Sequence, residues 1–349
     1  MTMLADQFDA VIGVDTHQDT HTAAVVATAT GAVLDELTVP TDPDGYDALV
    51  ALADRHSGLR VWSIEGTGSY GAGLTAHLQD LGETVIEIER PNRPARRNGK
   101  SDAIDAVRGA REALAIEHHA QPRSRGPRAA LAATLAARRS AVEASATAQR
   151  QLRALVLVAP EILRARFRGQ STIAMVATAT SLRTSSRWDL ETTTSATALR
   201  ALARRINTLT NEADAHEATL RSIVASWRPD LLELTGVGPI VAATVLCAWS
   251  HPGRCRSDAA FANLAGAAPI EASSGKHTAH RLNRGGDRQL NRAIHVIALT
   301  RLRYDPATRA YAERRRAEPN MTDRKIRRCL KRYIARQLYR QLENPPSPT

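Results

Sequence analysis

Near the N-terminus apolar positions come in short runs bounded by turn residues, which is the pattern of strands. Ala10 to Asp15, Thr22 to Thr28 and Val33 to Val39 are such runs, separated by Gln18-Asp19 and Thr30-Gly31. Connections this short join antiparallel neighbours, so a meander is expected. Asp42-Pro43-Asp44-Gly45 then opens a helix to about His56, with Tyr46, Leu49, Val50 and Leu52 on one side and Ser57-Gly58 as its stop. Arg60 to Glu65 reads as a fourth strand, followed by the turn Gly66 to Gly71, a helix from about Gly73 to Leu81, and a fifth strand from Thr84 to Glu89. Strands that alternate with helices after a meander predict an α/β class, a mixed sheet covered by helices, with functional residues at strand ends.

From there the period lengthens. Arg90 to Lys100 holds five basic residues, two prolines and a glycine and reads as a mobile basic loop; Ser101 caps a helix to about Ile116. Arg123 to Arg128 is a Pro/Gly/Arg linker. Two long helical stretches, Arg128 to Leu157 and Ser195 to Trp227, predict an antiparallel hairpin. Its seams run through Leu131, Leu135, Val142 and Gln149 on one side and Leu199, Leu202, Ile206 and Leu209 on the other. Leu234 to Pro239, leading into an apolar small-residue helix, resembles a helix-hairpin-helix turn, where the backbone at Gly236 and Gly238 can meet a phosphate. Helices are expected at Asp258 to Leu264, Asp287 to Arg303 and Thr322 to Gln341, with loop or short strand at Ala268 to Lys276. The expected division is 1–122, 123–230 and 231–343, with 344–349 as a disordered tail.

Charge narrows the partners. Lys and Arg number 47 against 36 Asp and Glu, a net charge of +11, which favours a polyanion, with nucleic acid as the default. Aromatic residues are only 4%, so backbone contacts are expected rather than base stacking. Cys247, Cys255 and Cys329 form no Cys-x-x-Cys pair, which argues against a disulfide framework or a structural zinc and fits a reducing cytoplasm. No signal pattern and no membrane-length apolar run is present in the sequence.

Two apolar strands end on acids, Asp15 and Glu65, and Asp102 and Asp105 lie three apart on one helix. Singly, each has an ordinary explanation: a turn cap, an ion pair, an acid at a helix N-terminus. Jointly they would converge on one sheet edge and repel one another unless a cation neutralised them, and all-oxygen ligands suit Mg²⁺ or Mn²⁺. His17, His21 and His118-His119 are assigned to structure or surface.

Val11 to His17, Glu65 to Tyr70 and Lys100 to Ala106 resemble the three acidic motifs of the DEDD transposases of insertion sequence family 110. The resemblance continues at Leu234 to Pro239 and from Gly266 to Arg292. It implies a ribonuclease-H-type, RuvC-like domain with Asp15, Glu65, Asp102 and Asp105 as catalytic metal ligands. It also implies a C-terminal domain with a catalytic serine in a Ser-Gly-Gly-Lys-like stretch, a set distance before an Arg-Gly-Asp-like one. Counting back from Lys276 and Asp287 selects Ser273, with Ser274 where the family often has Gly. Further implications are action on double-stranded DNA at element ends and target, as a homo-oligomer, with a structured noncoding guide RNA. Nucleic-acid contacts are expected at Arg93, Arg96, Arg97, Lys100, Gly236, Gly238, Lys276, Arg284, Arg288, Arg327, Arg328 and Lys331. The competing readings are a junction-resolving endonuclease using metal-activated water and a non-enzymatic basic DNA-binding protein.

Overall fold

The computed structural model describes residues 3–88, 101–272, 280–319 and 321–344. They fall into two compact units, Met1–Ser124 and Arg125–Thr349.

The first unit is α/β. Its elements are β1 (Ala10–Thr16), β2 (Thr20–Ala27), β3 (Val33–Pro40), α1 (Pro43–Asp54), β4 (Arg60–Glu65), α2 (Ala72–Asp80), β5 (Val85–Ile88) and α3 (Asp102–Ala115). The sheet order is β3-β2-β1-β4-β5: β2 is antiparallel to both β1 and β3, while β1, β4 and β5 run parallel. This mixed five-stranded sheet is the expected one and is compatible with a ribonuclease-H-like fold. Asp42 caps α1 by accepting from the Gly45 amide at 2.8 Å, as the Asp-Pro start predicts. Successive side chains of β1 point to opposite faces. Ile12 and Val14 pack with Trp62, Ile64, Leu49 and Leu74 on the α1/α2 side, whereas Val11 packs with Val61, Ile86, Val107 and Ala110 on the α3 side.

The α3 face is unusually close. A Cβ on Gly13 would lie 2.1 Å from the Ala106 carbonyl oxygen and 2.7 Å from the Ala110 nitrogen. On the next strand the Ser63 hydroxyl donates to the Gly109 carbonyl at 3.3 Å. Gly13, Ala106, Gly109 and Ala110 thus let a helix rest directly on the sheet backbone, which lowers the start of α3 towards the end of β1.

The second unit comprises α4 (Pro127–Val158), α5 (Glu161–Arg164), α6 (Thr172–Thr180), α7 (Leu190–Trp227), α8 (Pro239–Trp249), α9 (Asp258–Leu264), β6 (Pro269–Glu271), β7 (His280–Leu282), α10 (Arg288–Tyr304), α11 (Pro306–Arg316) and α12 (Asp323–Glu343). Helices α4 and α7 are antiparallel. Leu131 shares a core with Leu220 and Val224, and Leu152 shares another with Leu199, while Arg138 pairs with Glu217 at 3.0 Å between them.

The expected seam holds at Leu131, Leu199 and Ile206, which are buried, and at Leu135 and Leu202, which pack against the cores, but needs correction elsewhere. Val142 is 42% exposed, and the buried line on α4 runs through Ala141, Ser145, Ala148, Leu152 and Val156. On α7 it runs through Ala196, Leu199, Ala203, Ile206 and Ala213. The small residues Ala141, Ser145, Ala148, Ala196, Ala203 and Ala213 on these lines let the helices approach, and the larger Leu152, Val156, Leu199 and Ile206 pack between them. Helix α7 also begins five residues before the expected Ser195, because Asp189 caps it through the Thr192 amide at 2.7 Å.

Helix α11 and strand β7 have no counterpart in the sequence reading. Helix α11 buries only Thr308 and Ala312, and all of β7 is exposed, so neither carries a clear period. The far end of the unit is closed by a buried pair. Arg228 donates to both Asp230 carboxylate oxygens at 2.8 and 2.7 Å, and to the Gln341 and Leu342 carbonyls that end α12. Burial pushes the Asp230 carboxyl up, but Arg228 and the Gln341 amide together hold it below the usual range.

Candidate metal centre

Asp15 and Glu65 follow the paired residues Val14 and Ile64 on parallel neighbours β1 and β4. By the strand alternation both occupy the α3 face, on strands about 4.8 Å apart. The strand ends are tied together: the Thr16 hydroxyl donates to the Glu65 carbonyl at 3.0 Å. Just beyond, Gly66 takes a φ of 68°, a conformation suited to glycine. Gly71 lies where a Cβ would meet Ile64 Cγ2 at 2.9 Å. The glycines of Gly66 to Gly71 therefore fold the chain tightly back against the ends of β4 and β1.

From above, Ser101 caps α3, accepting from the Ile104 amide at 3.3 Å, so that Asp102 is the first helical residue. The close seat of α3 on Gly13 brings that carboxylate to β1. Between them stands His17, whose Nε2 is 3.3 Å from Asp15 Oδ2 and 3.4 Å from Asp102 Oδ1. One donor atom from each of Asp15, His17 and Asp102 lies within 4.8 Å of the other two.

Of the four acids singled out in the sequence, the structure brings Asp15 and Asp102 into this group. Glu65 sits beside it on the neighbouring strand end. The Asp105 carboxylate is instead engaged by its own helix, with Arg108 donating at 2.7 Å. His17 is the residue that sequence reasoning set aside, although the signal was there: it lies two positions after Asp15, and a period of two keeps it on the same face. The turn of β1 into β2 holds it through its backbone, the His17 amide donating to the Thr20 carbonyl at 3.0 Å.

His21 is structural. It is fully buried on the opposite face and stacks on Tyr46 with ring centroids 5.9 Å apart. Burial holds its pKa below the usual histidine value, helped by the nearby His17 and opposed by the hydrogen bond to the Thr20 carbonyl. His119 Nε2 donates to the Ala113 carbonyl, 2.7 Å away, near the end of α3.

In the second unit Arg284, Arg288 and Arg328 are exposed, and Arg327 and Lys331 are half-buried. Arg281, Arg328, Lys331 and Arg332 edge a cavity of about 150 Å³ between the β6/β7 ribbon and α12. Burial pulls the Lys331 ammonium below the usual lysine range, and its Nζ donates to the Asn291 side chain. Asp287 caps α10 through the Gln289 and Leu290 amides at 2.8 and 3.0 Å, and Gly286 packs backbone to backbone on Gly266. In the helix-hairpin-helix-like turn, Gly236 has a φ of 87° and abuts Ile297 and Thr300 of α10, whereas a Cβ on Gly238 would meet nothing within 4 Å. Gly238 is thus the more accessible of the two at the start of α8. Ser273, Ser274, Lys276, Arg93, Arg96, Arg97 and Lys100 lie outside the described residues.

Comparison with known proteins falls on the same two regions. A family model described as "Transposase", of the DEDD type of IS110, matches residues 12–159, which include both strand-end acids, His17 and α3. A second, described as "Transposase IS116/IS110/IS902 family", matches residues 229–313, from the buried Arg228–Asp230 corner through α10 into α11. Both models describe transposases of one family, and together they span more than half of the chain. It belongs to the IS110 family. Over 121 residues it is 34% identical to a Streptomyces coelicolor protein described as "Insertion element IS110 uncharacterized 43.6 kDa protein". That alignment covers 34% of this chain and 30% of the relative, so the chain matches less than a third of that relative's length.

Proposed function

We propose that this transposase cuts and rejoins double-stranded DNA at the ends of an insertion element, through a RuvC-like divalent-ion site and a serine nucleophile. The observation that carries the reading is the convergence of Asp15 and Asp102, from a strand end and a helix start, on one point. Two carboxylates gathered there repel one another without a counter-charge, and their hard oxygen donors suit Mg²⁺ or Mn²⁺. Asp15 and Asp102 would hold the ion, with Glu65 and Asp105 completing the set; Asp105 would first have to leave Arg108. When bound, such an ion supplies charge neutralisation and polarisation at a scissile phosphate.

The remaining chemistry belongs to the chain. The Ser273 hydroxyl attacks phosphorus, the new bond is Oγ–P, and the bond that breaks is that between phosphorus and the leaving deoxyribose oxygen, which takes up the proton. The phosphoserine link keeps the bond energy, so strands can be rejoined without a nucleotide cofactor. Lys276 and Arg284 would offset the charge added in the transition state. Arg93, Arg96, Arg97, Lys100, Gly238, Arg288, Arg327, Arg328 and Lys331 are assigned to phosphate contacts, and Gly236 to shaping its turn. Within this reading residues 1–122 carry the ion site, 123–230 the helical spacing and 231–343 the serine. The enzyme would act in the cytoplasm as a homo-oligomer directed by a structured noncoding RNA. Among the described residues no helix is long and apolar enough to cross a membrane.

Incubating the full chain with element-end DNA and Mg²⁺ tests the scheme. A denaturation-resistant protein–DNA adduct is expected, absent in Ser273→Ala and in Asp15→Asn, and retained at least in part by Ser274→Ala. Free nicks without an adduct would point to water attack and a resolving endonuclease. A retarded band with no cleavage under any ion would leave only a basic DNA-binding protein.

A further inference from the structure

We infer that His17 is itself a ligand of the ion, so that the centre is a mixed nitrogen and oxygen site that takes Mn²⁺ in preference to Mg²⁺. The inference rests on the metal-site reading above and extends it to the identity of the ion. Its basis is the position of one atom. Nε2 of His17 stands 3.3 Å from Asp15 Oδ2 and 3.4 Å from Asp102 Oδ1. Donors about 2.1 Å from an ion and at right angles to one another are about 3 Å apart, so the spacing is close to that of adjacent positions in one coordination sphere. A single ring nitrogen carries at most one N–H, which it can aim at only one of the two oxygens, and when unprotonated its lone pair meets only other acceptors. A cation between the three atoms satisfies all of them at once.

The surroundings fit that role. The side chain of Asp15 is 13% exposed, while those of His17 and Asp102 are 43% and 45% exposed, which leaves an open side for a phosphate oxygen or water. The His17 backbone is pinned by the Thr20 carbonyl and the adjacent Thr16 by the Glu65 carbonyl, so the ring springs from a fixed point. Carboxylates serve Mg²⁺ and Mn²⁺ alike, whereas imidazole adds affinity for transition ions and little for Mg²⁺.

The test uses the full chain with metal alone, without DNA. Mn²⁺ and Mg²⁺ affinities are measured by calorimetry for the wild type, Asp15→Asn and His17→Gln, and the Mn²⁺-loaded proteins are examined by electron spin-echo modulation. Expected are ¹⁴N modulation from a coordinated imidazole in the wild type, its loss in His17→Gln, and a fall in Mn²⁺ affinity on the order of ten-fold with Mg²⁺ affinity nearly unchanged. Wild-type protein grown with ¹⁵N-histidine, in which the ¹⁴N pattern should vanish, gives the same answer without a mutation. Mn²⁺ that binds, depends on Asp15 and shows no nitrogen coupling, or keeps it in His17→Gln, overturns the His17 assignment and leaves the carboxylate site intact. Absence of saturable binding, or binding indifferent to Asp15→Asn, overturns both.

Discussion

The two units solve the same packing problem with opposite means. In Met1–Ser124 a sheet sorts residues by parity: Ile12 and Val14 go to one core, Val11 to the other, and Asp15 and His17 continue the second series beyond the apolar part of the strand. In Arg125–Thr349 the long hairpin is held instead by mixed lines of small and large apolar residues, whose positions depend on how the two helices meet. A sheet therefore delivers side chains to a point, whereas paired helices deliver distance. The acidic centre sits in the first kind of structure, and the second is suited to spacing and to presenting basic surface.

The contrast can be broken most forcefully in the helical unit at the buried Arg228–Asp230 ion pair. Arg228→Ala takes the cation from the Asp230 carboxylate and the donor from the terminal carbonyls of α12, and should cost about 3–5 kcal/mol. Urea denaturation followed by circular dichroism should show the loss. A change below about 1 kcal/mol would mean that the helix ends do not depend on this corner.

In the sheet unit the corresponding weak point is a glycine. Gly13→Ala places a Cβ 2.1 Å from the Ala106 carbonyl oxygen, so α3 must lift from the sheet. A destabilisation of about 1–3 kcal/mol is expected, together with weaker Mn²⁺ binding, since Asp102 moves away from Asp15. Retained affinity in a destabilised variant would show that the centre does not rely on the close seat of α3.

The smallest effect concerns pH. Arg60 donates to Glu83, and with the Trp62 indole it holds the Glu83 carboxyl below its usual range despite burial. A carboxylate whose folded pKa is depressed contributes stability above its unfolded pKa, about 4.3, and loses it as pH falls through the lower folded value. Glu83→Gln should thus narrow the gap in stability between neutral and acidic solution relative to the wild type. Parallel denaturation curves for both proteins from neutral pH downward would remove Glu83 from the acid response.

Much of this was legible in advance, and the exceptions share a cause. The five strands, the capped helices α1 and α3, and the placing of Asp15, Glu65 and Asp102 at element ends all follow from local periods and caps, which depend on residues a few positions apart. The hairpin seam followed in part: Leu131, Leu199 and Ile206 are buried as expected, but Val142 is exposed and the neighbouring Ala141 is buried in its place, because the helix phase is set by the partner helix. Helix α11 and strand β7 bury too little to leave a pattern. The chain by itself determined which acids end which elements. That His17 joins Asp15 and Asp102, while Asp105 turns to Arg108, was decided only when α3 settled on Gly13, because close approach between distant segments is set by shape and leaves no period along the chain.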